Sequence, residues 1–328
     1  MKQLVNLNLD IKQSGMFQSE DSLILFAKQN GLDGLEGNLY ALSTNTEKVK
    51  PHTVGLHLPF HPYFHLLLGS KKDLLDYCEN WRTVEQLFGV TSYEDLVAVY
   101  SQYFNLAEQL DVEYVVFHPV ICDQKGIYTQ RFPWSLQYSL DLCASLLNQA
   151  LAASSFSKKL LFENLWWKKS FTLESRHEYD YLRSRVDYDN CGICLDTGHM
   201  MATNPNLSSQ HSAIDWLEKR IHHLDISDEV YTMHLNASLG GAYLEQVSQT
   251  RKVVKDSEFW HQFGHDLKHI SVVDPHLPFY TPQAHRLLDI VRPNNLVHEL
   301  RQDSFEQWQR YLNIQQDAIS TTIMQAAS

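Results

Sequence analysis

The sequence predicts a single (β/α)₈ TIM barrel over residues 1–328, with long βα loops after strands 3 and 7. Short apolar runs alternate with longer stretches of helical periodicity, which is typical of a parallel sheet with crossover helices. Six successive runs also end in a histidine or an acidic residue. In a barrel the carboxyl ends of the strands meet on one face, where active sites lie. The length of 328 residues accommodates a barrel of roughly 250 residues with insertions.

Eight apolar runs are predicted to be the strands. The first two lie at 4–9 and 33–37, and the other six share a form in which an apolar run leads into a polar residue. These six are Val54–Leu56 into His57, Val115–Phe117 into His118, Leu160–Phe162 into Glu163, Ile193–Leu195 into Asp196, Val230–Met233 into His234, and Leu296–Val297 through His298 into Glu299.

Apolar residues at helical spacing predict helices between the strands. The segments are 91–110, 135–151, 211–224 and 304–320, and the last is expected to pack on the barrel. Thr91 and Glu94 are predicted to form a capping box at the start of the first of these. The long intervals 60–90 and 237–294 are the two predicted loops, in which a barrel enzyme shapes its substrate site.

The composition of the chain argues against several classes of protein. With 44% hydrophobic and 20% charged residues the chain is typical of a globular protein, and no apolar run approaches the roughly 18 residues of a membrane span. Residues 1–10 lack the apolar stretch of a signal peptide, which favours a cytoplasmic location. The net charge of −12 and the absence of a Lys/Arg cluster argue against a nucleic-acid partner. The five cysteines are too scattered for a disulfide framework.

Acidic and imidazole groups that converge at one end of a barrel would repel or remain unsatisfied unless something binds them. A divalent cation does so, because neutral histidine nitrogens and carboxylate oxygens are its ligands. For any one of these histidines a hydrogen-bonded, partly buried position is the alternative. Six such residues in register favour a metal site.

The sequence resembles the xylose-isomerase-like TIM barrels, a superfamily that includes endonuclease IV (AP endonuclease family 2) and many sugar phosphate isomerases and epimerases. The most specific fragment is Asp196-Thr197-Gly198-His199. The other fragments occur in the family's order: Leu56-His57-Leu58-Pro59, Phe117-His118-Pro119, Phe162-Glu163-Asn164, Met233-His234-Leu235-Asn236, Asp274-Pro275-His276 and His298-Glu299-Leu300.

The resemblance implies a set of metal ligands. Isomerases and epimerases of this superfamily hold one metal with four residues, which correspond here to Glu163, Asp196, His234 and Glu299. Endonuclease IV adds five ligands and holds three zinc ions, and the additions correspond to His57, His118, His199, Asp274 and His276. The implied grouping is His57, His118 and a bridging Glu163 on the first metal, Glu163, Asp196, His234 and Glu299 on the second, and His199, Asp274 and His276 on the third. We therefore expect two or three divalent ions, Zn²⁺ first and Mn²⁺ or Fe²⁺ as alternatives.

Two assignments involve a choice. His223 competes with His234, but residues 214–224 have helical periodicity whereas His234 ends a β-rich run. Asp274 and His276 lie about 40 residues beyond His234, so an insertion must bring them back to the site. The alternative for this pair is a turn before a helix near 282.

The sequence favours a metal-dependent hydrolase that acts on a phosphoester of a small molecule, with Glu163 and Glu299 as catalytic residues. Trp166, Tyr63 and Arg301 are candidates for substrate binding, although packing in a loop explains Trp166 equally well. One alternative is a sugar or sugar-phosphate isomerase or epimerase with one metal, in which the same two carboxylates move a proton. A multinuclear iron oxidase and a non-catalytic metal-binding scaffold are further alternatives.

Overall fold

Eight parallel strands close into a barrel in the order of the chain, which confirms the predicted fold class. The structure is a computed structural model that describes residues 1–11, 15–39, 42, 46–250 and 258–320. The strands are β1 (Lys2–Asn8), β2 (Gly34–Asn38), β3 (Thr53–His57), β4 (Tyr114–Phe117), β5 (Lys159–Glu163), β6 (Cys191–Asp196), β7 (Val230–Leu235) and β8 (Asn295–His298). The barrel closes through the pairing of β1 with β8, in which Leu4 lies opposite Val297.

Helices connect the strands and surround the barrel. They are α1 (Glu20–Gln29), α2 (Lys71–Cys78), α3 (Trp81–Phe88), α4 (Tyr93–Leu110), α5 (Gln124–Thr129), α6 (Leu136–Ala152), α7 (Arg176–Arg185), α8 (Thr197–Ala202), α9 (Gln210–Leu224), α10 (Gly241–Thr250), α11 (Phe259–Val273), α12 (His285–Val291) and α13 (Phe305–Ile319). Short 3₁₀ helices occur at Lys50–His52, Phe64–Leu68, Ser227–Glu229 and Pro282–Ala284. In the described part of the chain, no helix has the length and apolar character needed to cross a membrane.

The four predicted helices correspond to α4, α6, α9 and α13, but the capping box predicted from Thr91 and Glu94 is wrong. The N-cap is the next residue, Ser92, whose hydroxyl accepts a hydrogen bond from the backbone N–H of Asp95 at 3.1 Å. Ser92 has the extended backbone that an N-cap requires, so the helix begins at Tyr93.

The closed barrel separates two apolar regions. Its outer surface packs against the helices, and α13 buries Trp308 and Leu312 with residues of β1. Inside the barrel a smaller group of apolar side chains forms a floor beneath the carboxyl ends of the strands. The floor consists of Leu4, Tyr114, Val116, Leu161, Cys194 and Val297. A filled interior is expected for an eight-stranded barrel, so the polar side chains of a site are expected at its mouth.

Two connections at the mouth are long, as predicted. The chain between β3 and α4 contains α2 and α3, and the chain between β7 and β8 contains α10, α11 and α12. These helices pack together in a second apolar cluster on the barrel mouth, which includes Leu74, Val84, Leu244 and Val273. The two connections therefore cover one end of the barrel.

The buried His298 in β8 makes stability depend on pH. Gln315 Nε2 lies 3.0 Å from its Nδ1, Gln3 Oε1 lies 3.2 Å from its Nε2, and burial lowers its pKa to about 4. The unfolded chain binds a proton at this histidine below about pH 6.5 but the folded chain does not, so stability falls as the pH falls from 6.5 to 4. At pH 5 we expect this group to reduce the free energy of unfolding by about 2 kcal/mol.

Urea denaturation at pH 7.5 and pH 5, with a chelator present, measures this effect. The loss of stability on acidification should be smaller in His298→Gln than in the wild type. The exposed His222 provides a control, since His222→Gln should retain the wild-type dependence. Equal dependence in wild type and His298→Gln would contradict the prediction.

Candidate metal centre

Four of the residues predicted to bind metal lie inside the barrel, directly above the apolar floor. Side chains alternate along a strand, so a residue two positions after a floor residue also faces the interior. Two positions after Val116, Leu161, Cys194 and Val297 stand His118, Glu163, Asp196 and Glu299, respectively. The pattern of an apolar run followed by a ligand in the sequence is therefore the alternation of floor and site along each strand.

Glu163 lies at the centre of the candidate metal ligands. Its Oε2 is 3.1 Å from His118 Nε2 and 3.5 Å from His234 Nδ1, and its Oε1 is 3.3 Å from His199 Nδ1. His57 completes a group with His118 and Glu163 in which all ligand atoms lie within 4.8 Å of one another. One carboxylate thus reaches imidazoles from three of the implied metal positions.

The four residues of the implied single-metal core also come together. Glu163, Asp196, His234 and Glu299 each offer a ligand atom within 4.8 Å of the others, and His234 Nδ1 lies 2.8 Å from Glu299 Oε2. Asn236 Nδ2 donates to Asp196 Oδ2 at 2.7 Å and fixes that carboxylate.

Gly198 explains part of the Asp-Thr-Gly-His fragment. A Cβ atom at this position would lie 1.7 Å from Asn236 Oδ1, so only glycine leaves room for the amide that holds Asp196. Asp196 also caps α8 by accepting from the backbone N–H of His199 at 2.6 Å. The fragment therefore sets the position of both a carboxylate and a histidine.

The third group depends on the long connection after β7. Asp274 Oδ2 lies 3.0 Å from His199 Nε2 and 2.6 Å from His276 Nε2. Ala237 and Leu277 pair in an antiparallel bridge, which returns the chain to the end of β7 after α10 and α11. This return brings the Asp-x-His pair to the cluster despite its distance in sequence. His276 adopts a left-handed backbone with φ of 48°, a conformation that non-glycine residues seldom adopt.

Burial and mutual charge perturb the acid–base behaviour of the cluster. Burial raises the pKa of Asp196 to about 7. For Glu299 burial acts in the same direction, but the imidazoles of His234 and His276 outweigh it and hold the pKa at about 2. For His276 burial lowers the pKa, but Asp274 outweighs it and raises the pKa to about 9. These opposing shifts arise because imidazoles and carboxylates are buried against one another, and a cation that binds among such groups displaces protons from them.

The buried polar atoms of the cluster fit metal ligands. Among the described residues, Glu163 Oε1 and Oε2, Glu299 Oε2 and His234 Nδ1 have no hydrogen-bond partner. Each lies within 3.5 Å of another ligand atom, but in directions that do not suit a hydrogen bond. Buried polar atoms are rarely left without partners, whereas ligand atoms that converge on an ion have this arrangement.

Sequence reasoning missed Glu36 in β2. This fully buried carboxylate has Oε1 2.8 Å from His57 Nε2 and 2.9 Å from His234 Nε2. The signal was a single charged residue inside the second apolar run, but it stands in mid-strand rather than at the end. Cys194, whose spacing from Cys191 is better explained by a strand leading into Asp196 than by zinc binding, nevertheless offers an atom within 4.8 Å of ligand atoms of Glu163 and His234.

The candidates for substrate binding occupy different places. Trp166 is buried with its ring centroid 4.8 Å from that of His199, so it forms a wall of the cluster. Trp166 also lines a cavity of about 660 Å³. Tyr63 packs against Tyr77 in the apolar cluster of the loops, and Arg301 pairs with Asp303 at 2.6 Å.

Comparison with known proteins confirms the resemblance stated from the sequence. Residues 91–241 match the family model "Xylose isomerase-like TIM barrel", a span that includes His118, Glu163, Asp196, His199 and His234. No curated protein matches the chain.

Three solved structures illustrate the range of proteins with this fold. Endonuclease IV from Thermus thermophilus is 15% identical with a TM-score of 0.52, over 97% of this chain and 99% of that chain. The 3-keto-D-glucoside 4-epimerase from E. coli is 14% identical with a TM-score of 0.51, over 97% and 98%. An L-ribulose 3-epimerase is 10% identical with a TM-score of 0.51, over 98% and 96%. Likeness at these identities shows the fold and does not distinguish the reactions.

The number of ligands predicts the number of metal ions. Glu163, Asp196, Asp274 and Glu299 place four candidate ligand carboxylates in one buried cluster, more than a single divalent ion neutralises. We expect elemental analysis of protein purified without chelator to give two or three divalent ions per chain. Glu163→Gln should lose at least one of them, because Glu163 is the residue common to several ligand groups.

Glu113→Gln provides the matched control. Glu113 precedes β4 at the opposite end of the barrel and pairs with Lys2, so its replacement should leave the metal content unchanged. A wild-type protein that saturates with a single equivalent would contradict the prediction and support a one-metal site.

Proposed function

We propose that this chain, a xylose isomerase-like TIM barrel, is a metal-dependent hydrolase that cleaves a phosphoester of a small molecule. The observation that carries the proposal is the position of Glu163, whose two unpartnered oxygens face His118, His199 and His234. A carboxylate in this position is suited to bridge two ions, and an isomerase with one metal would use Glu163 as a ligand but would not need its approach to His118 and His199.

Different residues of the chain would bind the ions, orient the ligands and enclose the site. Glu163 joins the ligand set of His57 and His118 to that of Asp196, His234 and Glu299. Divalent ions held there would activate a water molecule at neutral pH and stabilise charge on phosphoryl oxygens. Asn236 holds Asp196 in orientation, and Trp166 closes the side of the cluster next to His199.

Aromatic side chains at the mouth support a small substrate. Phe60 is 45% exposed, its ring meets that of His118 edge-on at 5.0 Å, and it is nearly parallel to Trp167 at 6.2 Å. Lys71 and Lys72, at the start of α2, are exposed but belong to no continuous basic stripe in the sequence. Affinity for duplex DNA depends on many phosphate contacts, and a chain with a net charge of −12 is poorly supplied with them.

A sugar or sugar-phosphate isomerase or epimerase is the second candidate. The observation that favours it is that Glu163, Asp196, His234 and Glu299 form a complete ligand set by themselves. In that reaction Glu163 and Glu299 would move a proton at a carbon next to a carbonyl. The two candidates differ in whether the additional ligands matter for turnover.

His118→Ala separates the two functions. If a bridged pair of ions is required, removing His118 weakens the first metal position and should lower hydrolysis by about a hundredfold or more. If the four-residue core suffices, turnover should stay near the wild-type level. The assay is a panel of phosphodiesters and sugar phosphates with Zn²⁺, Mn²⁺ or Fe²⁺ supplied, and His276→Ala tests the third position in the same way.

His222→Ala, at an exposed position near the end of α9, is the control and should retain wild-type turnover. Thermal melting of each variant distinguishes loss of fold from loss of a ligand. Full turnover of a sugar by His118→Ala would reject the hydrolase and establish the isomerase.

A second test concerns nucleic acid. We expect little or no incision of an abasic DNA duplex at any salt concentration between about 50 and 200 mM, because the chain lacks the cationic surface for phosphate contacts. Gel analysis of a labelled duplex measures this, with the small phosphoester panel run on the same preparation. Efficient incision that declines steeply with salt would instead identify a nuclease.

A further inference from the structure

We propose that Glu36 is a positioning residue that orients two metal-ligating histidines at once and so links the first and second metal positions. The inference rests on the metal centre of the proposed function and deepens it. Glu36 Oε1 lies 2.8 Å from Nε2 of His57 and 2.9 Å from Nε2 of His234. These histidines belong to different implied metal positions, and a single carboxylate oxygen contacts both.

The geometry determines which nitrogen of each histidine faces the metal. The rings of His57 and His234 stack with centroids 5.3 Å apart and an angle of 23° between their planes. His57 Nε2 forms a hydrogen bond to Glu36, whereas His234 Nε2 lies 2.9 Å from the same oxygen as an ion-pair contact without hydrogen-bond geometry. In each ring Nδ1 is left for a metal ion. His234 Nδ1 is the atom that lies 2.8 Å from Glu299 and 3.5 Å from Glu163. A carboxylate that contacts the second nitrogen of a ligating histidine fixes its tautomer and its ring orientation.

Glu36 is itself held by hydrogen-bond donors on both oxygens. Asn6 Nδ2 donates to Oε1 at 3.0 Å, and the Tyr114 hydroxyl donates to Oε2 at 2.6 Å. Asn38 Nδ2 in turn donates to Asn6 Oδ1 at 3.2 Å, which sets the orientation of the Asn6 amide. Surrounded by donors and fully buried, Glu36 is kept as a carboxylate in one position.

Gly55 leaves the space that the Tyr114 ring needs to reach Glu36. A Cβ atom there would lie 2.3 Å from Tyr114 Cζ, so any larger residue in β3 would displace the ring that reaches Glu36. Gly55 stands two positions before His57 on the same strand face. The glycine, the tyrosine and the histidine thus form one packed unit around the carboxylate.

Hydrogen bonding distinguishes Glu36 from a metal ligand. Glu36 forms a group with His57 and His234 whose atoms lie within 4.8 Å, so it could be mistaken for a ligand of a further ion. Its oxygens already accept from Asn6, His57 and Tyr114. The oxygens of Glu163, in contrast, have no hydrogen-bond partner among the described residues. Glu36 therefore acts on the ions through the histidines.

Zn²⁺ titration of Glu36→Gln against a chromophoric chelator tests the inference. An amide retains the size of the side chain but offers one acceptor oxygen in place of two and turns an N–H group toward its neighbours. We expect the dissociation constants of the equivalents bound through His57 and His234 to rise about 10- to 100-fold. The number of ions at saturation should stay at the wild-type value, and the equivalent bound through His199, Asp274 and His276 should keep its affinity.

Glu178→Gln is the matched control. Glu178 is also a buried glutamate, but it accepts from the backbone N–H groups of Thr172, Leu173 and Glu174. Its replacement should lower the melting temperature and leave Zn²⁺ affinity unchanged, which separates a loss of stability from a loss of orientation. If Glu36→Gln does not fold, Tyr114→Phe removes one donor to Glu36 and should weaken the same equivalents several-fold.

Two results would overturn the inference. Wild-type Zn²⁺ affinities in Glu36→Gln or Tyr114→Phe would show that Glu36 does not position the histidines, and one fewer ion at saturation would show that it is a ligand. Because the titration uses no substrate, its outcome is independent of hydrolysis. Weakened binding in a protein that cleaves no phosphoester would retain the role of Glu36 and reject the hydrolase.

Discussion

The burial of charge at the mouth of the barrel is the constraint on which the site depends. Burying an isolated carboxylate costs several kcal/mol even after relaxation, and the cost is offset only by opposite charge or by hydrogen bonds. Glu36 is stabilised by donors on both of its oxygens. Glu163 accepts no hydrogen bond among the described residues, and the groups that lie against it are the imidazoles of His118, His199 and His234. Cations bound among these side chains would offset the cost of burying their negative charge.

Some candidate ligands lie on barrel strands and others lie on the long connection after β7. Glu163, Asp196 and His234 stand in strands whose pairing fixes their register, and the apolar floor below them leaves no room for movement. Asp274 and His276 instead follow α11 and return to the barrel through the bridge between Ala237 and Leu277. The third group of candidate ligands therefore depends on a connection outside the barrel strands.

Contacts between loops support that return. Asp266 in α11 accepts from the Tyr128 hydroxyl of α5 at 2.8 Å, and His269 Nε2 lies 3.1 Å from the backbone oxygen of Ile127. Ser238, directly after β7, donates to Asp274 Oδ1 at 2.6 Å. The position of Asp274 is thus set from two sides, by the end of a strand and by the neighbouring loop.

The sequence predicted whatever depends on local pattern. The strands were recognisable because each combines an apolar run with a polar end, and the helices because their buried faces repeat. Glu36 was not recognisable as part of the site, because its partners His57, Tyr114 and His234 come from other strands. No short segment of sequence predicts which strands lie next to one another in the barrel. The capping error at Thr91 has a local cause, because Thr91 and Ser92 are both suitable caps and the choice depends on backbone geometry.

The net charge of the cluster depends on the number of ions bound, and that charge determines which class of substrate the cluster attracts. The four candidate ligand carboxylates and Glu36 carry five negative charges when ionised, and the histidines are neutral as ligands. One divalent ion would leave a net charge of −3, two would leave −1, and three would give +1. A net positive cluster attracts an anion, and a phosphoester supplies one, whereas a neutral sugar does not. The further ligands that the resemblance implies are mostly histidines, which would add ligand atoms without adding negative charge. Under the proposed function a phosphorylated substrate would therefore require the third ion, because two ions would leave the cluster at −1.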